Sequence, residues 1–402
     1  MKFEFQNVQQ WQDVKDEQWS NWTWQLRNSL RNQTDIENHF ELSEQEKTFF
    51  FQAQDSLRYQ ITPYYTSLAK RSLQGCQDPI RRLVLPTFFE NQQGQQQMFD
   101  PLAERDNSPV ARVIHRYSDR ALFLVTDYCS VYCRYCTRKH FTGKDHSFVS
   151  KSEYDQALTY FKNTKKIREV ILSGGDPLTI SDTRLETLLT DLRSIEHIEI
   201  IRIGSRIPVV MPMRVTESLI KIIKSAQPVF LMTHFNHPRE ITVEAKNALS
   251  MFVDNGIPVF NQMVLLNGIN NHPAIVQALS RRLLYLRVKP YYMFQCDPSQ
   301  GSDHLRTSVA ESMQLQRNLW GKLSGLAMPN LCLDIPGGGG KVGLVPDYEV
   351  SGDAEKNSSS KTYRGFDGVV GEYIDPAPEL QALPSDLDQY MDEWNELNSS
   401  AS

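Results

Sequence analysis

Three cysteines fall within eight residues, Cys129-Ser-Val-Tyr-Cys133-Arg-Tyr-Cys136, directly after the apolar run Ala121 to Val125. Iron-sulfur clusters are held by thiolates, and a four-iron cube ordinarily takes four of them, so three local cysteines can leave one iron open to a small molecule. The spacing alone leaves two alternatives: a zinc site completed by a distant ligand such as His140, or three unrelated buried thiols.

Other segments carry residues suited to cofactor chemistry. Pro336-Gly-Gly-Gly-Gly-Lys341 is not a phosphate-binding P-loop, because Val342 stands where Ser or Thr is needed. A lysine closing such a loop can swing into a cavity and condense with an aldehyde cofactor, for which pyridoxal phosphate (PLP) is the usual candidate. In Ser173-Gly174-Gly175-Asp176-Pro177 two glycines allow close backbone approach to a ligand, although in isolation a plain turn is the favoured reading. His115-Arg116-Tyr117-Ser-Asp-Arg120 offers two guanidiniums and a phenol, which suit a phosphate but could also form a solvated charged turn.

The elements that must position these residues read as α/β. Candidate strands are Ala121 to Thr126, Glu169 to Ser173, Glu199 to Ile203, Val229 to Thr233, Pro258 to Leu266 and Arg287 to Tyr292. Helical periodicity lies between them, at Tyr154 to Phe161, Leu185 to Leu192, Ser218 to Ala226, Val243 to Phe252 and Ile275 to Leu284. The alternation implies a parallel sheet with right-handed crossovers, and leaves open whether it closes. The chemical residues follow strand ends, where active sites of such sheets lie.

Residues 1–110 read as a helical N-terminal region whose Trp11, Trp19, Trp22 and Trp24 are expected to pack a core. Residues 111–330 hold the alternating elements, and 331–402 form a C-terminal region with a short strand pair near 362–374 and a disordered tail from Asn398.

Lys+Arg 43 against Asp+Glu 48 gives a net charge of −5, with no concentrated basic tract, which points away from nucleic acid and anionic membranes. Six cysteines (76, 129, 133, 136, 296 and 332), three of them crowded together, suit a metal or redox site in a reducing compartment rather than disulfides. No apolar run approaches about 18 residues, so a cytoplasmic protein with a small-molecule partner is expected.

Taken in order, Thr126 to Arg138, Leu172 to Asp176, Arg202 to Arg206, His234 to Pro238, Pro290 to Asp297 and Asp334 to Lys341 resemble the lysine 2,3-aminomutase family of radical S-adenosylmethionine (SAM) enzymes. The resemblance covers roughly residues 11–375. It implies a partial (β/α)6 barrel with a helical N-terminal region and a C-terminal extension carrying a PLP lysine. It also implies a [4Fe-4S] cluster on Cys129, Cys133 and Cys136, SAM on the open iron, and PLP on Lys341. The reaction would move an amino group from C2 to C3 of a free amino acid, through a PLP aldimine and a 5'-deoxyadenosyl radical.

By the same resemblance Arg116, Tyr117 and Arg120 contact the PLP phosphate, with Gln262 nearby. Tyr135, Ser173, Gly174, Gly175, Asp176 and His234 belong to the cofactor site. Arg138 pairs with the substrate carboxylate, its alternative being a surface ion pair. Asp297 and Asp334 clasp the distal ammonium of L-lysine, the alternative being that either caps a loop. Two buried anions call for a cation between them.

Two departures stand out. His272 replaces a cysteine that some relatives use for a structural zinc, and no zinc is expected. Phe294 stands where a lysine-type enzyme is expected to carry Tyr. The competing readings are an L-arginine 2,3-aminomutase, a translation-factor-modifying lysine aminomutase, and a non-catalytic iron-sulfur or zinc interaction protein. Expected partners are the amino acid, a one-electron reductant and further copies of the chain.

Overall fold

The computed structural model describes residues 3–52, 59–73, 77–92, 96–143, 148–350, 360–376 and 383–398. Nine strands form one sheet in sequence order: β1 (Val113–Tyr117), β2 (Arg120–Thr126), β3 (Glu169–Gly174), β4 (Ile200–Gly204), β5 (Val229–Thr233), β6 (Val259–Leu265), β7 (Val288–Gln295), β8 (Asn330–Ile335) and β9 (Gly340–Gly343). β2 through β8 are parallel, each to the next, while β1 and β9 run antiparallel at the two edges. All six strands expected from the apolar runs are present. β8 and β9 add the segment around Lys341 to that sheet, although its sequence reads as a separate extension. A short apolar run such as Leu331 to Ile335 does not reveal its partner.

Each parallel connection carries a helix: Lys151–Asn163, Asp182–Arg193, Glu217–Ser225, Val243–Asp254, Pro273–Tyr285 and Val309–Leu319. Their starts are set by side chains that accept an otherwise orphaned backbone N–H, at Ser150, Ser181, Thr216, Thr242, His272 and Ser308. Their apolar stripes, such as Leu185, Leu188, Leu189 and Leu192, are buried against the outer face of the sheet. The last helix has no counterpart in the sequence reading.

Strand side chains alternate between the helix layer and the barrel interior. On β6, Val259, Met263 and Leu265 are buried, whereas Phe260, Gln262 and Val264 line an internal cavity. β3 divides likewise into buried Val170 and Leu172 and cavity-facing Ile171 and Ser173. The interior is therefore left partly unfilled.

No ladder joins β1 to β9 among the described residues, and side chains span the gap. Arg116 Nε donates to the Gly338 carbonyl at 2.6 Å, and the Lys341 N–H donates to the Tyr117 hydroxyl at 3.1 Å. The edge meant to carry phosphate contacts thus meets the edge carrying the lysine.

The N-terminal region is a set of short helices, including Trp22–Arg27, Gln33–His39 and Pro79–Val84. Trp11, Trp19 and Trp24 pack on one another with ring centroids 6.2–6.4 Å apart, as expected of core aromatics. The region is tied to the barrel by Thr62 Oγ1, which donates to the Val210 carbonyl at 2.7 Å, and by Tyr65, which donates to Glu240 at 2.6 Å.

The expected C-terminal strand pair is β10 (Ser360–Arg364) with β11 (Val370–Ile374). A helix, Asp388–Asn398, follows it; of the tail expected to be disordered, residues 399–402 lie outside the described residues, as does Cys76. Among the described residues, no helix is long and apolar enough to cross a membrane.

Candidate active site

One cavity of about 1190 Å³ opens inside the barrel, lined by residues from the starts of the strands, such as Arg120 and Glu169, as well as from their carboxyl ends. The residues that the resemblance assigns to the site line it, namely the three cysteines, Arg116, Tyr117, Arg120, Tyr135, Arg138, Ser173 to Asp176, His234, Gln262, Asp297, Asp334 and Lys341, whereas His140 does not. They come from sequence positions more than 200 residues apart: the cysteines, Ser173 to Asp176, His234 and Asp297 lie at or after the carboxyl ends of parallel strands, whereas Arg116, Tyr117 and Lys341 come from the antiparallel edge strands and Arg120 from the start of β2.

At one end, Cys129, Cys133 and Cys136 are free and half-buried. Burial pushes the Cys129 and Cys136 thiols up, Cys129 well above its ordinary value, with the neighbouring cysteines adding to the shift. Two thiols that resist ionisation on their own suit a centre that supplies positive charge. Among the described residues, no three His, Cys, Asp or Glu side chains converge on one metal ion. A four-iron cube does not ask for that, since each thiolate takes a different iron.

The glycines beside the cysteines are required by the chain itself. Gly174 has φ +117°, and a Cβ there would stand 2.3 Å from the Thr126 carbonyl oxygen; at Gly175 it would stand 2.3 Å from that of Tyr128. The end of β3 therefore lies directly on the backbone leading into Cys129, held by Gly175 N–H to the Thr126 carbonyl at 2.6 Å and Asp176 N–H to the Tyr128 carbonyl at 2.9 Å. The close approach read from the sequence as made for a ligand is thus made, in part, to the cysteine loop.

Asp176 is turned into the protein rather than towards open space. Its Oδ1 accepts from Ser205 Oγ at 2.6 Å and its Oδ2 from the Arg206 N–H at 2.7 Å. Burial raises its pKa, against the pull of these donors. It couples the end of β3 to the loop after β4.

That loop supplies Arg206, whose role the sequence reading did not assign. Its Nη1 donates to Cys133 Sγ at 2.8 Å, and its Nη2 to Tyr65 Oη and Glu240 Oε1, both at 2.8 Å. Glu240 is fully buried, and its other oxygen accepts the N–H groups of Asn236 and His237. Asn236 in turn donates to the Tyr135 hydroxyl at 2.6 Å. His234 is pushed down to about 4, first by burial and then by Arg206, so its ring is neutral at pH 7.

At the other end, Lys341 Nζ lies 2.8 Å from both oxygens of Asp334 and faces the rings of Phe294 and Tyr292, at 4.3 and 5.5 Å from their centroids. Asp297 is pushed up to about 7, by burial first and the charge of Asp334 second, with Lys341 opposing. The cation on Asp334 is here the chain's own lysine, whose charge also acts on Asp297. Arg120 stacks over the Tyr117 ring at 4.0 Å, and Gly340 lies beside Arg116 and Tyr117. A lysine whose backbone N–H meets the Tyr117 phenol, directly after a glycine that lies beside Arg116, fits an aldehyde cofactor bearing a phosphate.

Arg138 is neither solvent-exposed nor free. Its guanidinium pairs along one edge with Glu104, Nη2 to Oε1 at 2.6 Å, and Nη1 donates to Ser173 Oγ at 2.9 Å. Glu104 sits in a polar loop with no motif, so no sequence signal marked it. His115 Nδ1 lies 2.7 Å from the Tyr160 hydroxyl, and His272 caps the helix at Pro273.

Comparison with known proteins follows this geometry. A family model described as Radical SAM superfamily matches residues 123–277, and one described as Lysine-2,3-aminomutase matches residues 317–400. The chain is 43% identical to L-lysine 2,3-aminomutase of Fusobacterium nucleatum over 90% of its own length and 84% of the relative's. It is 41% identical to L-lysine 2,3-aminomutase of Bacillus subtilis, covering 97% of this chain and 81% of that one. Glutamate 2,3-aminomutase of Clostridioides difficile is 37% identical, over 92% and 86% of the two chains.

Proposed function

We propose, because this chain belongs to the lysine 2,3-aminomutase family of radical SAM enzymes, that it moves the amino group of free L-lysine from C2 to C3 to give β-lysine. A [4Fe-4S] cluster and SAM follow from the radical SAM domain. PLP is part of the proposal, supported by Lys341 beside Arg116, Tyr117 and Gly340. Bound there, the cluster with SAM supplies the hydrogen-abstracting radical, and PLP supplies the conjugated system across which nitrogen migrates.

The observation that carries the choice of substrate is the ammonium of Lys341 clasped by Asp334, with Asp297 beside it in the same cavity. The two acids form a cation site that accepts an alkylammonium and would repel the side chain of glutamate. Lys341 would hold PLP, and Arg116, Tyr117 and Arg120 its phosphate. When Lys341 is engaged, Asp297 and Asp334 become available to the distal ammonium of the substrate, while Arg138 at the cysteine end faces its carboxylate. The enclosing barrel wall of Phe260, Tyr292 and Phe294 keeps water from the reacting carbons.

Three half-buried cysteines suit a reducing cytoplasm, and a one-electron donor completes the system. The test is anaerobic: cluster-reconstituted protein with PLP, SAM and dithionite, offered L-lysine, L-arginine or L-glutamate separately, with products identified by mass spectrometry and NMR. Conversion of lysine to its 3-amino isomer is expected. Conversion of arginine alone would move the substrate assignment, and conversion of glutamate alone would overturn the role of the acid pair.

A further inference from the structure

Arg138 leaves an irregular loop two residues after Cys136, and a side chain of that length needs outside groups to fix its direction. Glu104, with its side chain 9% exposed, supplies one grip: Oε1 and Oε2 accept from Nε at 2.9 and 3.0 Å, and Oε1 also accepts from Nη2 at 2.6 Å. Ser173, at the end of β3, takes one hydrogen of Nη1. A guanidinium has five N–H donors in a planar fork, so these contacts leave one N–H on each terminal nitrogen for a ligand. The pair lines the same cavity as the cysteines and Lys341.

We propose that Glu104 is a positioning residue, which grips the inner edge of Arg138 so that the terminal nitrogens are presented to the carboxylate of the amino acid substrate. The proposal rests on the aminomutase reading above. Glu104 also neutralises a largely buried cation while the cavity is empty. The substrate carboxylate then meets an ion pair of no net charge, so its affinity depends on directed hydrogen bonds and hence on the orientation that Glu104 imposes.

The test compares L-lysine with L-lysinamide, which keeps both amines and lacks the carboxylate. Binding is measured calorimetrically on PLP-loaded, cluster-loaded enzyme with SAM and no reductant, so that no turnover occurs. In Glu104→Gln, matched to wild type in iron and PLP content, lysine should bind about tenfold or more weakly, the loss of a charge-assisted contact, while lysinamide changes by less than about twofold. Glu104→Asp should recover most of the lysine affinity, and under turnover the KM for lysine should rise more than kcat falls.

Equal weakening for both ligands would make Glu104 merely structural. Tighter lysine binding would make it a competing anion, and either result overturns the proposal. Should Glu104→Gln fail to fold, Ser173→Ala removes the other grip and should show the same preference against lysine; its absence there overturns the proposal equally. Failure of wild type to bind lysine strikes the aminomutase reading itself, and it is recognised without any variant.

Discussion

The ammonium of Lys341 is held symmetrically by Asp334, 2.8 Å from each carboxylate oxygen, across the turn that joins β8 to β9. One antiparallel pairing, Asp334 opposite Lys341, therefore places the proposed cofactor lysine and the proposed substrate-binding acid side by side. The same residues must exchange partners when cofactor and substrate enter.

That exchange separates the two roles. Lys341→Ala should lose bound PLP and its visible absorption. Asp334→Asn should keep PLP and raise the KM for lysine by tenfold or more, the scale of losing a buried charged contact. Absorption spectra and steady-state kinetics on the two variants check both halves.

Asp297 makes lysine binding depend on pH. Its folded pKa is raised to about 7, so near pH 6 most of it is protonated in the empty site. Only the ionised form attracts the substrate ammonium, so affinity should rise as pH increases from 6 to 8, and binding near pH 6 should release a proton. Calorimetry in buffers of different ionisation enthalpy measures that release, and Asp297→Asn should abolish it. For stability the sign is opposite: a carboxyl with a raised folded pKa contributes stability at acid pH, which is lost between its unfolded value and about 7.

Arg206 and Glu240 are a buried pair, with side chains 8% and 0% exposed. Arg206→Met leaves the Glu240 charge without its partner and should cost about 3–5 kcal/mol. Adding Glu240→Gln should recover part of this, read by chemical denaturation of the anaerobic protein. Because Arg206 donates to Cys133 Sγ, its loss should also lower the cluster reduction potential, measured by EPR-monitored titration.

Gly175→Ala would drive a methyl group into the Tyr128 carbonyl, 2.3 Å away. The backbone must shift, and overpacking of this kind costs about 1–3 kcal/mol. Because that backbone leads into Cys129, iron and sulfide content should fall along with melting temperature. Analysis of metal content before and after reconstitution distinguishes the two losses.

Much of this was legible in local sequence because it is written in local periodicity. Alternating apolar strands and amphipathic helices identified six of the seven parallel strands, and cysteine spacing and glycine runs marked both ends of the cavity. Glu104 and Arg206 could not be assigned, since a lone acid in a polar loop and a lone arginine after a strand look like many solvated residues. Asp176 was visible as part of a motif, but its inward orientation was not.

By itself the sequence determined the chemical inventory: three thiols at fixed spacing, a lysine after four glycines, and a parallel α/β order that sends loop residues to one face. Those features depend on residue type and short-range spacing, which a chain carries whether or not it is folded. Only the tertiary structure decided which charges meet. It brought Glu104 to Arg138, Arg206 to Cys133 and Glu240, and the β1 edge to the Lys341 loop. Such pairings join residues tens to hundreds of positions apart. Their partners are selected by how strands and loops close around a common cavity and by the cost of burying a charge alone.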